Sequence, residues 1–268
     1  MAIDVHPTAI VDSNAVLEDE VKVGPYCVIG DGAFIGARTK LLNHVTIMGN
    51  VRIGCDNVLY PYSVIGGDPQ DRSYKGSPTW VVVGDRNIIR EHVTMHRATE
   101  KELGITRVGS DNFFMVGSHV AHDCIIGNNV SLANGVGLSG HVHIHDFAIV
   151  SGLAGVHQFT TIGRYAFVGA MAKIVTDVPP YMLADGTPCE VRCVNLVGLK
   201  RRGFTQADIQ NLAVAHRLLY RHKIGVEEAR NQLINDGRMV DSVVNLFAFV
   251  DQQCQGHFGR GRERRKAA

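Results

Sequence analysis

The chain has 268 residues, a formal net charge of +1, 29 glycines and only 7% aromatic residues. That length can bury a sizeable core in one or two domains, and the near-neutral charge gives no general drive toward nucleic acid or a membrane surface. The opening MAIDVHP lacks the basic and apolar segments of a secretion signal and no run approaches a membrane span, so a cytoplasmic protein with no integral membrane segment is expected.

From the N-terminus the pattern is a six-residue repeat. Every sixth residue from Val5 is aliphatic: Val5, Val11, Leu17, Val23, Ile29, Ile35, Leu41, Ile47, Ile53, Leu59 and Ile65. The register breaks at GGDPQDRSYKGSPTW, resumes as Val83, Ile89 and Met95, breaks again at RATEKELGIT, and then runs from Val108 to Ile174. Glycine often follows the aliphatic residue, and four positions after it a small or β-branched side chain is common. A period of six is neither the 3.6 of a helix nor the alternation of a long strand. It suits short strands joined by tight corners, three to a coil, each sending one aliphatic side chain inward, as in parallel β-helices. With coils one strand spacing apart, ~4.8 Å, nine to ten coils make a prism roughly 45 Å tall. The two breaks become loops, at 66–80 and 97–107, extruded from a regular scaffold where function concentrates. The fold expected is mainly β, a left-handed parallel β-helix over residues 1–178, with a C-terminal helical domain over 179–268.

The pair Pro179-Pro180 ends the repeat. Thr205 with Asp208 reads as an N-cap with an acidic residue in the first turn. Ile209, Leu212, His216, Leu219 and Tyr220 then share a helical face, Gly225 follows, and two more helices are expected over Val226–Ile234 and Val240–Val250. The end, GRGRERRKAA, reads as a solvated tail. Six cysteines (Cys27, Cys55, Cys124, Cys189, Cys193, Cys254) form no CxxC pair and are expected to be small buried side chains.

Several segments carry more than periodicity. GDPQDRSYKG, IIREHVTMHRAT, SHVAHDC, LSGHVHIHDFAI, GVHQF, DVPPY and NLVGLKRRGF occur in an order that resembles the UDP-N-acetylglucosamine O-acyltransferases of lipid A biosynthesis, over nearly the whole chain. The resemblance implies transfer of an (R)-3-hydroxyacyl group from acyl carrier protein to the sugar 3-hydroxyl of UDP-N-acetylglucosamine, by a homotrimer with sites between subunits, and no metal or other cofactor. It implies His122 as general base, Asp123 as the acid that orients its ring, and Gly140 as an oxyanion donor through its N–H. Independently, His122, His141 and His157 are spaced near one 18-residue coil and should line one side of the prism.

The resemblance carries further positions with it. Asp71 and Tyr74 fall in the first loop, where Asp71 would meet the sugar; an Asx turn after Pro69 is its other reading. His96, His119, His141, His157 and Gln158 match positions near the sugar nucleotide, and Asn195, Arg201 and Arg202 match its nucleotide contacts, an arginine fork suiting a diphosphate. Ala170, in FVGAMAK, stands where relatives set acyl-chain length. Lys200, Arg217 and Arg221 are candidate docking charges for the acidic carrier protein. Three positions depart from the family pattern: Ser73 where many relatives have lysine, Val197 where glutamate is frequent, and Ala98 in HRAT where HRGT is common.

Three other readings compete. The N-acyltransferase of the same pathway carries a separate N-terminal uridine-binding domain, for which a repeat starting at Val5 leaves no room. A zinc hydratase of the γ-carbonic anhydrase type, in which three histidines from neighbouring subunits bind the metal, would use histidines such as His119, His122 and His141. A purely structural solenoid gives no reason for AHDC and GVHQF to occur with KRRGF.

Overall fold

The computed structural model describes residues 2–259 and Arg262. Residues 4–174 wind into a left-handed parallel β-helix with three faces, built mostly from two-residue strands that pair in parallel with the strand one coil earlier. The chain visits the first, second and third face in turn, so a coil is three hexapeptides. Stacking is in register: Val23, Leu41, Leu59, Ile89, Phe114, Leu132, Val150 and Val168 form one continuous inner column on the first face. From Ile29 to Ile65 the repeat-position side chains are essentially inaccessible, each contributing ~1.5–3 kcal/mol by leaving water. Val5, on the bottom coil with nothing beneath it, is 40% exposed.

Corners require the left-handed backbone region, and side-chain-bearing residues adopt it repeatedly. On the corner between the second and third faces these are Asp123 (φ 59°), His141 (φ 62°) and Phe159 (φ 65°). The conformation costs ~1–2 kcal/mol per residue and is held here by the ladder bonds above and below, such as His141 N–H to His122 O at 3.0 Å and Phe159 N–H to Gly140 O at 3.2 Å.

Both loops leave the prism at this same corner. The first runs from the second-face strand Val64–Gly67 to the third-face strand Trp80–Val83, the second from Thr94–His96 to Ile105–Val108. The ends of the expected loop ranges are therefore strand: Trp80, Val81, Val82 and Val83 pair with Ile105, Thr106, Arg107 and Val108. The loops proper are 68–79 and 97–104.

The β structure continues beyond the proline pair. Met182–Asp185 pairs in parallel with Phe167–Val168 and Glu190–Val194 returns antiparallel to it, extending the first face before the helices begin. Helix α1 (Leu196–Arg201) is capped by Asn195, whose Oδ1 accepts from Gly198 N–H. Helix α2 (Gln206–His216) opens with Thr205 and Asp208 capping each other's main chain, as their spacing predicts. It passes into a π-helical segment, Arg217–His222, which carries Leu219 and Tyr220, and α3 (Val226–Asn235) and α4 (Asp241–Cys254) follow. The uniform burial expected of the cysteines fails at Cys55, which is half-buried, and at Cys193 and Cys254, which are exposed because the return strand and the end of α4 carry them instead of the prism interior. No helix among the described residues is long and apolar enough to cross a membrane.

Candidate active site

Register determines what meets at the corner. His122 shares its position in the coil with Gly140 and Gln158, while Asp123 shares its own with His141 and Phe159, as the ladder bonds between corresponding residues show. The three histidines expected to form one column are thus offset: His122, His141 and His157 occupy three adjacent positions of the turn, and all remain at this corner.

His122 Nδ1 lies 2.9 Å from Asp123 Oδ2. The same oxygen accepts the hydroxyl of Thr99 at 2.7 Å and its N–H at 3.1 Å, so the second loop folds back onto the carboxylate. Burial alone would raise the Asp123 carboxyl, but the bonds from His122 and Thr99 outweigh it and hold the pKa below the ordinary carboxyl value. An ionised carboxylate only accepts, so Nδ1 of His122 carries the hydrogen and Nε2 keeps the lone pair. The His122 side chain is 12% exposed and that of Asp123 1%. His141 stands edge-on to His122 (ring centroids 5.2 Å apart) and stacks on Phe159 at 4.4 Å. Its Nε2 is 3.8 Å from Asp123 Oδ2, and its Nδ1 is 3.3 Å from Glu102 Oε1 of the second loop.

Gly140, one coil on, lies against the His122 ring: a Cβ there would be 2.4 Å from Cε1 and 2.6 Å from Nε2. Its N–H has no main-chain or side-chain acceptor among the described residues. On the same coil as His122, His119 Nδ1 pairs with Thr94 Oγ1 of the coil below at 2.7 Å and its ring meets His96 edge-on at 4.9 Å. Burial, with the neighbouring His96 and His122, pushes the His119 pKa down to about 4, and burial lowers His96, so both are neutral imidazoles near pH 7.

The first loop joins the second through Asp71, which accepts from Lys101 Nζ at 2.5 Å. Asp71 also forms the Asx turn, taking Ser73 N–H at 2.9 Å and its hydroxyl at 2.8 Å. The Lys101 ammonium and the Ser73 bonds hold the Asp71 carboxyl well below its usual range. Tyr74 donates to Ser77 O at 2.7 Å, within its own loop, and Arg97 of the second loop pairs with Asp68 of the first.

The expected nucleotide residues gather elsewhere. A cleft of about 700 Å³ is lined by Asn195, Val197, Arg201, Arg202, Phe167 and Leu183. Asn195 is already engaged by its cap and by donating to Tyr165 O at 2.9 Å, and the Arg202 guanidinium lies 4.9 Å over Phe147. Arg217 and Arg221 line a neighbouring cleft beside Cys193 and His216. Ala170 is exposed at a different corner, between the first and second faces, beside Met171.

Sequence reading missed Thr99, Lys101, Glu102 and Phe159 as contributors. Thr99 was within the HRAT motif, and Phe159 could have been found by counting 18 residues on from His141; nothing in the sequence indicated where the second loop would fold. The donor atoms of His122, Asp123 and His141 lie within 4.8 Å of one another, whereas His119 is committed to Thr94. Within one chain the donor cluster is therefore His122, Asp123 and His141, without His119.

A family model described as UDP-N-acetylglucosamine O-acyltransferase, domain 2, matches residues 177–258, and a bacterial transferase hexapeptide model matches residues 105–140. The acyl-[acyl-carrier-protein]–UDP-N-acetylglucosamine O-acyltransferase of Verminephrobacter eiseniae is 46% identical over 226 residues, 84% of this chain and 86% of the relative. The protein of the same name from Thermodesulfovibrio yellowstonii is 43% identical over 94% of this chain and 98% of its own length. The crystal structure of UDP-N-acetylglucosamine O-acyltransferase from Moraxella catarrhalis superposes with a TM-score of 0.88 at 40% identity, covering 92% of this chain and 96% of that one. With a triad-like corner on a hexapeptide prism and relatives of this similarity along almost its full length, the chain belongs to the acyl-[acyl-carrier-protein]–UDP-N-acetylglucosamine O-acyltransferase family.

Proposed function

We infer that the protein transfers a 3-hydroxyacyl group from acyl carrier protein to the 3-hydroxyl of UDP-N-acetylglucosamine, the first step of lipid A biosynthesis, with the chemistry at the His122 corner. The observation that carries the assignment of residues is the His122–Asp123 pair at 2.9 Å with the ring lying against Gly140. Nε2 of His122 takes the proton of the sugar hydroxyl as that oxygen attacks the thioester carbonyl. Asp123 holds the imidazole in the right tautomer and stabilises the imidazolium that forms. Charge developing on the carbonyl oxygen is met by the Gly140 N–H, which has no other acceptor among the described residues. Collapse of the tetrahedral intermediate breaks the C–S bond, and the imidazolium returns its proton to the departing thiolate.

The prism, residues 1–178, is proposed to hold this chemistry and the segment 179–268 to serve recognition. Asp71, Tyr74, His96, His119, His141, His157 and Gln158 are assigned to the sugar and pyrophosphate side of the substrate, and Asn195, Arg201 and Arg202 to the nucleotide. The exposed Arg217 and Arg221, with Lys200, are assigned to the acidic carrier protein. The protein is proposed to act in the cytoplasm as a homotrimer, which would wall the corner with a neighbouring subunit. No metal takes part in this scheme; the His122, Asp123 and His141 cluster makes chelation a useful control, and treatment with a chelator is expected to leave turnover intact.

The test is His122→Ala, assayed with UDP-N-acetylglucosamine and 3-hydroxyacyl carrier protein, the product being analysed for an ester against an amide. The parent should give an ester, and the variant should lose at least ~10²-fold in turnover while still binding the sugar nucleotide. Near-parental activity in a folded variant would overturn the assignment of the base, and an amide product would point to the N-acyltransferase.

A further inference from the structure

The C-terminal tail does more than trail from α4. Phe258 packs against Phe249 (ring centroids 4.8 Å apart) and edge-on to His145 on the third face (5.9 Å). Gly259 then passes so close to the corner residue Asp177 that a Cβ would sit 2.7 Å from either carboxylate oxygen. Arg262 lies along the catalytic corner; apart from Gly259 and Arg262, the segment GRGRERRKAA expected to be a solvated tail lies outside the described residues. Nη2 donates to His141 O and to Phe159 O, both at 2.6 Å, and Nη1 lies 2.6 Å from His143 Nε2. The guanidinium carbon is 5.8 Å from the Phe159 ring centroid.

The two carbonyls it binds belong to the left-handed corner residues, and neither accepts a main-chain hydrogen bond among the described residues. Arg262 therefore ties together two successive coils at the positions whose rings stack, and the lower of those rings stands between Asp123 and Glu102 and edge-on to His122. A planar guanidinium can bridge two acceptors in fixed geometry where an ammonium would serve as a mobile point charge. Burial pushes the His143 pKa down to about 3, with Arg262 the next cause, so His143 meets the guanidinium as a neutral ring.

We propose that Arg262 is a positioning residue for the acyl transfer: its guanidinium braces the catalytic corner and, through the His141 and Phe159 carbonyls, fixes the His141 ring beside the His122–Asp123 pair. This rests on the reading of that corner as the active site. A shift of about 1 Å in a reacting group costs on the order of 10²-fold, so loss of one brace at one remove from the base should cost roughly tenfold.

The experiment compares Arg262→Ala, Arg262→Lys and a chain ending at Phe258 with the parent and with His122→Ala, measuring kcat, KM for UDP-N-acetylglucosamine, oligomeric state and Tm. Arg262→Ala and the truncation should lower kcat about tenfold with KM and Tm little changed. Arg262→Lys should recover part of the loss, and free guanidinium at millimolar concentration should restore turnover to Arg262→Ala. The proposal is overturned if Arg262→Ala keeps parental kcat, or if its kcat falls only in step with Tm or with dissociation. His122→Ala separates the two layers: an inactive His122→Ala beside a fully active Arg262→Ala removes the brace alone, whereas an active His122→Ala removes the reading of the corner itself.

Discussion

Gly140 of the next coil lies against the imidazole of His122, at a distance that leaves no room for a methyl group: a Cβ would lie 2.4 Å from Cε1 and 2.6 Å from Nε2. The glycine is needed here for space, since its φ is not in the left-handed region that its neighbour His141 adopts. Adding a methyl would move the base off the carboxylate that orients it, or move the main chain whose N–H is assigned to the oxyanion.

Gly140→Ala should therefore leave folding nearly intact while lowering kcat by ~10²-fold, the scale of losing a positioned base. Steady-state kinetics alongside thermal melting checks it. Parental kcat would mean that the ring rotates away without consequence and that its position against Gly140 is incidental.

The hydroxyl of Thr99 is the other support of the catalytic pair. Thr99→Val keeps the shape and removes one donor from a buried carboxylate, a loss of ~1.5–3 kcal/mol for a bond to a charged group. Turnover should fall roughly tenfold or more by that measure, and Thr99→Ser should restore most of it. Since the bonds from His122 and Thr99 hold the Asp123 carboxyl below its ordinary value, the valine variant should raise it and shift the acid limb of the pH–rate profile upward. Equal losses in valine and serine variants would assign Thr99 to packing and not to the carboxylate.

How much of this was legible beforehand follows from how each contact is made. The prism was legible because a six-residue period forces identical side chains into register, so Val23 on Leu41 and Leu41 on Leu59 follow from counting. The His122–Asp123 pair was legible because its members are adjacent and embedded in a motif. Thr99 on Asp123 was not, since a bond 24 residues apart through an irregular loop has no period. Arg262 was less so: its bonds span more than a hundred residues, and nothing in the local sequence around it signals that two corner carbonyls lack a donor. The short helix α1 was hidden because six residues hold too little periodicity to register, although its cap Asn195 was in view.

Asp177 gives a stability prediction with a definite sign. Burial is the largest influence on its carboxyl and raises the pKa to about 6, against partial relief from the Thr161 N–H it accepts at 2.7 Å. A carboxyl whose folded pKa lies above its unfolded value binds more protons folded than unfolded, so it favours the fold most at low pH and that contribution is lost as pH rises from ~4 toward the folded value. Asp177→Asn keeps an acceptor for Thr161 and has nothing to ionise. It should raise Tm at pH 7.5 relative to the parent and make little difference at pH 4, as thermal melts across that range would reveal. A variant less stable than the parent at pH 7.5 would show instead that the charge, close to Arg262, is net favourable.

The last prediction concerns acyl-chain length and depends on assembly. Ala170 is exposed beside Met171, itself 71% exposed, on the corner between the first and second faces, whereas His122 is on the corner between the second and third. Within one chain the two sit at different edges of the prism, so Ala170 can bound an acyl channel leading from His122 only where a neighbouring copy brings its own Ala170 to that corner. A closed three-fold ring provides such a neighbour for every site. Each buried methylene is worth ~0.8 kcal/mol, while forcing an oversized group against packed atoms costs ~1–3 kcal/mol. These are comparable, so a change of one methyl at the channel floor can move the preferred length by about two carbons, and alanine should favour chains on the order of 12 to 14 carbons. In competition among hydroxyacyl carrier proteins, Ala170→Gly should shift products toward longer chains and Ala170→Met toward shorter ones. Light scattering should give three copies in every variant. Unchanged product lengths from an intact trimer would remove Ala170 from the channel, and a stable active monomer would remove the neighbour on which the ruler depends.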